Sequence, residues 1–299
     1  MVSEIELLNF AIQTARDAGR ILLERMGRTI QITNKGVIDL VTEVDVAAET
    51  FIIERIRSYH PRHGVLAEES GASDQPGGQR SEYQWIIDPL DGTTNYAHGY
   101  PCFCVSIALE RDGVIELGVI YDPTRDETFA AERGEGATLN GRRIRASQTH
   151  DLNRAMLCTG FPYDVRDRGD FARHFSNFIM HAQAVRRDGS AALDLAYVAC
   201  GRFDGFWEEY GLSPVSATQR NAPMYSGASA PETANPSSDT TILSGLRPWD
   251  VAAGVLMIKE AGGVVTTHSN SLFSLTNKDC MLVASNGLIH DEMVRVLQM

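Results

Sequence analysis

Trp85-Ile86-Ile87-Asp88-Pro89-Leu90-Asp91-Gly92-Thr93-Thr94-Asn95 joins a short apolar run to an acidic turn. The apolar run reads as a buried strand that ends at Asp88-Pro89. It delivers Asp88 to the carboxyl end of the strand, where open sheets place their ligand sites. Pro89 fixes the turn, so Asp91 folds back beside Asp88. Two carboxylates that close repel each other unless a cation lies between them, and oxygen donors of this kind suit Mg²⁺ or Mn²⁺. Gly92 lets the backbone approach a ligand. Thr93-Thr94 can open a helical turn whose free N–H groups bind phosphate. The competing reading is an ordinary Asp-Pro turn with Asp91 or Thr93 as a helix cap.

Further carboxylates lie outward from this string. Glu68 and Glu69 follow the apolar Gly64-Val65-Leu66-Ala67, which puts one of them at another strand end. Asp250, in Arg247-Pro248-Trp249-Asp250, stands at a helix N-terminus, where an isolated Asp would simply compensate the dipole. Asp45, in Asp39-Leu40-Val41-Thr42-Glu43-Val44-Asp45, reads as the N-cap of a helix running to Tyr59.

The rest of the chain supplies a mixed α/β frame. Ser3 and Glu6 form a capping box for a first helix that ends near Gly27, with Leu7, Leu8, Ala11, Ile12, Ala15, Leu22 and Leu23 on its apolar face. Strands are expected over 103–109, 114–121 and 128–131, followed by an Asn140-Gly141 hairpin turn. In the second half, strands at 155–158, through 185, at 203–207, 264–267 and 281–284 mix with helices at 171–182, 190–200, 251–261 and 290–297. Strands and helices do not alternate strictly, so layered sheets and helices are expected, not a simple doubly wound sheet. We read one domain over 1–299 in two intimate halves, about 1–150 and 151–299. Residues 213–246 are rich in Ser, Ala, Thr and Pro and read as a long mobile loop. They are bracketed by the near-repeat Gly211-Leu212-Ser213-Pro214 and Gly245-Leu246-Arg247-Pro248, as if an insert split one connection.

Composition narrows the function. No run of about 18 uncharged apolar residues occurs, which excludes a membrane-spanning helix. A net charge of −12 argues against a nucleic-acid partner, because that affinity rests on clustered Lys and Arg. The five cysteines are scattered and odd in number, and the N-terminus is acidic where a signal peptide would be basic. Reduced thiols in a cytoplasmic protein are expected. Neither a Gly-x-Ser-x-Gly elbow nor a P-loop is present, so serine-hydrolase and P-loop chemistry are set aside.

Taken together, Asp39-Leu-Val-Thr-Glu-Val-Asp45, Glu68-Glu-Ser70, Asp88-Pro-Leu-Asp-Gly-Thr93 and Trp249-Asp-Val-Ala-Ala-Gly254 resemble the inositol monophosphatase family of lithium-sensitive, metal-dependent phosphatases. Gly189-Ser-Ala-Ala-Leu193 and Gly201-Arg-Phe-Asp-Gly-Phe-Trp-Glu208 strengthen the match. The resemblance implies a layered helix/sheet sandwich of the inositol monophosphatase/fructose-1,6-bisphosphatase type, usually a homodimer. It places Glu68, Asp88 and the Leu90 carbonyl on one Mg²⁺, and Asp88, Asp91 and Asp250 on a second. Thr93, paired with Asp45, would orient the attacking water, and the N–H groups of Gly92 and Thr93 would bind phosphate. Glu208 matches the residue that accepts hydrogen bonds from substrate hydroxyls, Gly189, Ser190 and Ala191 line the ring pocket, and Lys35 matches a mobile basic residue near the metals. In this family the matching Glu lies only a few residues before Trp-Asp, whereas here the insert separates Glu208 from Asp250.

The implied reaction is Mg²⁺-dependent hydrolysis of a small polyol phosphate, inositol 1-phosphate first. Two metals about 4 Å apart would stabilise the attacking and leaving oxygens of an in-line displacement. Alternatives within the class are 3′-phosphoadenosine 5′-phosphate or a sugar bisphosphate. An alternative of another class is a regulatory binding protein that keeps the phosphatase fold.

Overall fold

Side chains alternate between two faces along a strand, and here both faces are covered. In Tyr83–Asp91, Trp85 and Ile87 enter one hydrophobic cluster while Ile86 enters another. In Val114–Asp122, Leu117, Val119 and Tyr121 face the first cluster and Ile120 the second. Burial on both faces is why these strands read as near-continuous apolar runs. The structure is a computed structural model that describes residues 4–27, 32–34, 40–73, 81–161, 169–211 and 245–299.

The strands are β1 (Ile32–Asn34), β2 (Leu40–Thr42), β3 (Gly64–Ala67), β4 (Gly71–Ser73), β5 (Tyr83–Asp91), β6 (Cys104–Arg111), β7 (Val114–Asp122), β8 (Glu127–Glu132), β9 (Gly136–Leu139), β10 (Arg142–Arg143), β11 (Met156–Thr159), β12 (Ala184–Arg186), β13 (Gly205–Tyr210), β14 (Val264–Thr267) and β15 (Cys280–Ser285). The helices are α1 (Glu4–Arg25), α2 (Glu43–Tyr59), α3 (Thr93–Ala97), α4 (Gly169–His181), α5 (Ala191–Ala199), α6 (Pro248–Glu260) and α7 (His290–Leu297). An eight-stranded sheet runs β10-β9-β8-β7-β6-β5-β3-β4, antiparallel except where β3 pairs with β5. A five-stranded sheet runs β12-β11-β13-β15-β14, with β11 parallel to both β12 and β13. β1 and β2 form a separate antiparallel pair.

Three cores set the layering. Leu7, Ala11, Ala15, Ala18 and Leu22 of α1, with Ile52 and Ile56 of α2, pack on one face of the eight-stranded sheet. Residues of α5 and α6 fill the space between its other face and the five-stranded sheet, which contributes Cys158, Phe206 and Leu282. Gly118 of β7 permits this contact, because a Cβ there would lie 2.7 Å from the Ala253 Cα of α6. Phe178 of α4 and Met293 of α7 cover the outer face through Trp207 and Val283. The layers therefore alternate: α1 and α2, sheet, α5 and α6, sheet, α4 and α7. This is the layered α/β sandwich expected from the sequence.

Local differences have identifiable causes. β5 does not stop at Asp88-Pro89 but continues to Asp91 through a register shift against β6, where Asp88 faces Ser106 and Asp91 faces Cys104. Pro89 has no N–H to donate, so it sits in the irregularity without breaking the strand. Asp45 is the third residue of α2 and not its N-cap. Thr42 caps the helix, and the Asp45 side chain closes a capping box by accepting the Thr42 N–H at 2.9 Å. Leu23 is exposed, since it lies about 100° around the helix from Leu22. Ser3, Lys35, Gly36, Asp39 and residues 212–244 lie outside the described residues.

Candidate active site

Three elements deliver four carboxylates to one place. Asp88 and Asp91 flank the irregularity in β5, Glu68 follows β3 directly, and Asp250 lies in the first turn of α6. The parallel β3–β5 pairing aligns the two strand ends, and the Glu68 N–H donates to the Ile87 carbonyl at 3.2 Å. Asp88 is fully buried, and its carboxyl is pushed well above the usual range. Burial is the main cause, followed by the charges of Glu68, Asp91 and Asp250. Asp250 is driven the same way by burial, then by Glu68, Asp91 and Glu208. Although 42 positions apart in sequence, Glu208 is thus close enough for its charge to bear on Asp250.

Asp91 has two unlike sides. Its Oδ2 accepts the Ser190 hydroxyl at 2.5 Å, the Ala192 N–H at 2.7 Å and the Cys104 thiol at 3.7 Å. Burial raises its pKa, and these donors, two at the start of α5 and one on β6, pull against that rise. The hydroxyl of Ser190 is thus turned onto Asp91. Gly189, at φ +82°, packs beside the Asn95 amide, which donates to the carbonyls of Cys102 and Asp188.

Thr93 opens α3 behind Gly92, whose φ of +98° lies in the left-handed region. A Cβ on Gly92 would also meet the Cys102 carbonyl at 2.9 Å, so the turn requires glycine on two counts. The Thr93 hydroxyl lies 3.1 Å from Asp45 Oδ1 and 3.1 Å from the Leu90 carbonyl. It has one proton, so it serves one acceptor at a time and keeps its lone pairs free for a third partner. Asp45 is fully buried, which raises its pKa, and hydrogen bonds from Thr42 and Thr93 oppose the rise.

Glu208 on β13 is buried, and its Oε2 has no hydrogen-bond partner among the described residues. Burial and the charge of Asp91 push its pKa up to about 8. Lys35 falls outside the described residues.

Two groups escaped the sequence reading. Glu49 of α2 is buried and accepts the Glu69 N–H at 2.8 Å and the Ser70 N–H at 2.9 Å, tying down the loop that carries Glu68. Its signal was the four-residue spacing from Asp45, which puts both acids on one helix face. Asp194 of α5 is buried with neither oxygen partnered among the described residues.

The donor set suits a hard divalent cation, since it is all oxygen and strongly acidic. None of the ion pairs among the described residues includes Asp88, Asp91 or Asp250. No three His, Cys, Asp or Glu side chains among the described residues are preassembled as a metal cage. A cation between these carboxylates would relieve the repulsion that raises their pKa values.

An acidic site thus lies at the ends of β3 and β5 and the starts of α2, α5 and α6 of a layered α/β sandwich. The chain belongs to the inositol monophosphatase family, whose model matches residues 4–217 and 212–298. An inositol-1-monophosphatase from Synechocystis is 39% identical over 292 residues, covering 97% of this chain and 88% of that protein. Nus factor SuhB from Escherichia coli K12 is 41% identical over 266 residues, covering 87% and 84%. The crystal structure of the extragenic suppressor protein suhB from Bartonella henselae matches with a TM-score of 0.81 and 37% identity, covering 98% of each chain. Among the described residues, no helix is long and apolar enough to cross a membrane.

Proposed function

We propose that the chain is a Mg²⁺-dependent phosphomonoesterase acting on a small polyol phosphate, inositol 1-phosphate first. The carrying observation is the Thr93–Asp45 pair at 3.1 Å beside the buried carboxylates Asp88 and Asp91 and the half-buried Asp250. Glu68, Asp88, the Leu90 carbonyl, Asp91 and Asp250 would hold the metal. When bound, Mg²⁺ supplies charge stabilisation to the attacking and leaving oxygens.

The chain's own groups do the rest. The N–H groups of Gly92 and Thr93 at the start of α3 hold the phosphate oxygens. Thr93 accepts a hydrogen from the attacking water as it gives its own to Asp45, whose burial makes it a better base than an exposed Asp. The water oxygen bonds to phosphorus as the ester bond to the polyol breaks, and the departing oxygen takes a proton from solvent. Glu208 receives a substrate hydroxyl, with Gly189 and Ala191 beside the ring and Ser190 holding Asp91.

Phosphate release from inositol 1-phosphate, 3′-phosphoadenosine 5′-phosphate and a sugar bisphosphate, with and without Mg²⁺, tests this reading. Metal-dependent release fastest from the inositol ester is expected, with inhibition by Li⁺ and with a homodimeric mass by light scattering. The name Nus factor carried by the Escherichia coli relative favours a second reading, a regulatory binding role through the surface of the same fold. A chain that binds Mg²⁺ but releases phosphate from none of these esters would favour that role.

A further inference from the structure

Gly160 follows β11 directly, and the parallel pairing of β11 with β13 sets it beside Glu208. Thr159, opposite Trp207 in that register, fixes the approach by donating its hydroxyl to the Trp207 carbonyl at 2.6 Å. A Cβ built on Gly160 would overlap the Cδ and both carboxylate oxygens of Glu208. These three atoms, all of Glu208, are the nearest that a side chain would meet among the described residues, and no positive φ calls for glycine here. The missing side chain makes room for one carboxylate, whose Oε2 is buried and unpartnered among the described residues. The Gly160 backbone also works against the rise that burial imposes on that carboxylate.

We infer that Gly160 is a positioning residue for substrate choice: by offering only backbone to the Glu208 carboxylate, it seats that group where it selects hydroxyl-bearing phosphate esters. The inference rests on the reading of Glu208 given above. A hydrogen bond from substrate to a buried carboxylate is worth on the order of tenfold or more in affinity. A methyl group at 160 would push the flexible end of Glu208 aside and forfeit that bond, leaving the phosphate groups and the Thr93–Asp45 pair alone.

The test compares inositol 1-phosphate with p-nitrophenyl phosphate, which carries no hydroxyl, and follows the ratio of their kcat/KM values. Gly160→Ala is expected to lower the ratio about tenfold through KM for the inositol ester, as loss of uniform binding should. Its kcat and its aryl-phosphate constants should stay within about twofold. Glu208→Ala sets the scale, and the double variant should fall no lower than Glu208→Ala alone. If Glu208→Ala loses the preference and Gly160→Ala keeps it, the inference is overturned and the reading of Glu208 stands. If Glu208→Ala keeps the preference, both fall. Should Gly160→Ala be insoluble, restoration of folding by added Glu208→Ala would report the same contact, and failure to restore it would overturn the inference.

Discussion

Asp91 turns one carboxylate oxygen to the protein and leaves the other for the site. Ser190, Ala192 and Cys104 all donate to Oδ2, so an asparagine here must point its carbonyl oxygen at those donors and its NH₂ group at the neighbouring carboxylates. An NH₂ group has no lone pair to offer a cation. Asp91→Asn should keep the melting temperature within a few degrees yet lower kcat about 100-fold or more at saturating Mg²⁺, measured as phosphate release. Asp194 and Glu208 predict a pH effect. Burial holds both carboxyls above their ordinary range, Glu208 at about 8 against an ordinary 4.5. Between these values the unfolded chain has released the proton and the folded chain has not, so stability must fall as pH rises through this window. Thermal melts in chelator at pH 5 and pH 8 should show a lower melting temperature at pH 8. Asp194→Asn should shrink the difference, on the order of 2–4 °C for each kcal/mol relieved.

Helix α2 works at its first two turns. Asp45 closes the capping box and meets Thr93, and Glu49, one turn later, clamps the loop after β3 through two backbone N–H groups. A glutamine at 49 can accept only one of them and sets its own NH₂ against the other. Glu49→Gln should therefore raise the Mg²⁺ concentration for half-maximal activity about tenfold, the scale of outer-shell changes at metal sites, with kcat recovering at saturation. A Mg²⁺ titration of phosphate release measures this. The same elements show what the sequence could carry. The acidic motifs were legible because each sits at an element boundary, where an abrupt change from apolar to acidic residues marks both the end and the chemistry. The continuation of β5 past Pro89 was not, because it depends on pairing with β6 across Asp88–Ser106 and Asp91–Cys104. Glu49 was hidden for a different reason: an acid inside a helix reads as a solvated one until its partners are known. The motif match groups Ser190 with Gly189 and Ala191 as a ring-pocket residue, while its hydroxyl is committed to Asp91.

At the scale of the molecule, the two chain ends that border residues 212–244 are fastened to each other. Tyr210 bridges Leu246, the Leu246 N–H donates to the Glu209 carbonyl at 2.7 Å, and the Gly211 N–H returns to the Leu246 carbonyl at 3.1 Å. The connection between β13 and α6 is thus closed within the described residues, which is why Glu208 and Asp250 stay together. Loop length adds little to closure entropy once the ends are held. Replacing residues 212–244 with a Gly-Ser linker of about four residues should leave a folded, Mg²⁺-dependent phosphatase with kcat within about twofold. Thermal melts and steady-state kinetics check this, and a shift in KM alone would mark the segment as a cover over the substrate. Loss of soluble protein would assign it to the core or to a subunit interface. Fastened ends have a practical corollary. A fluorescent domain whose own termini lie close together could be spliced in at this point without opening the strand–helix junction, since the junction's hydrogen bonds already hold both ends.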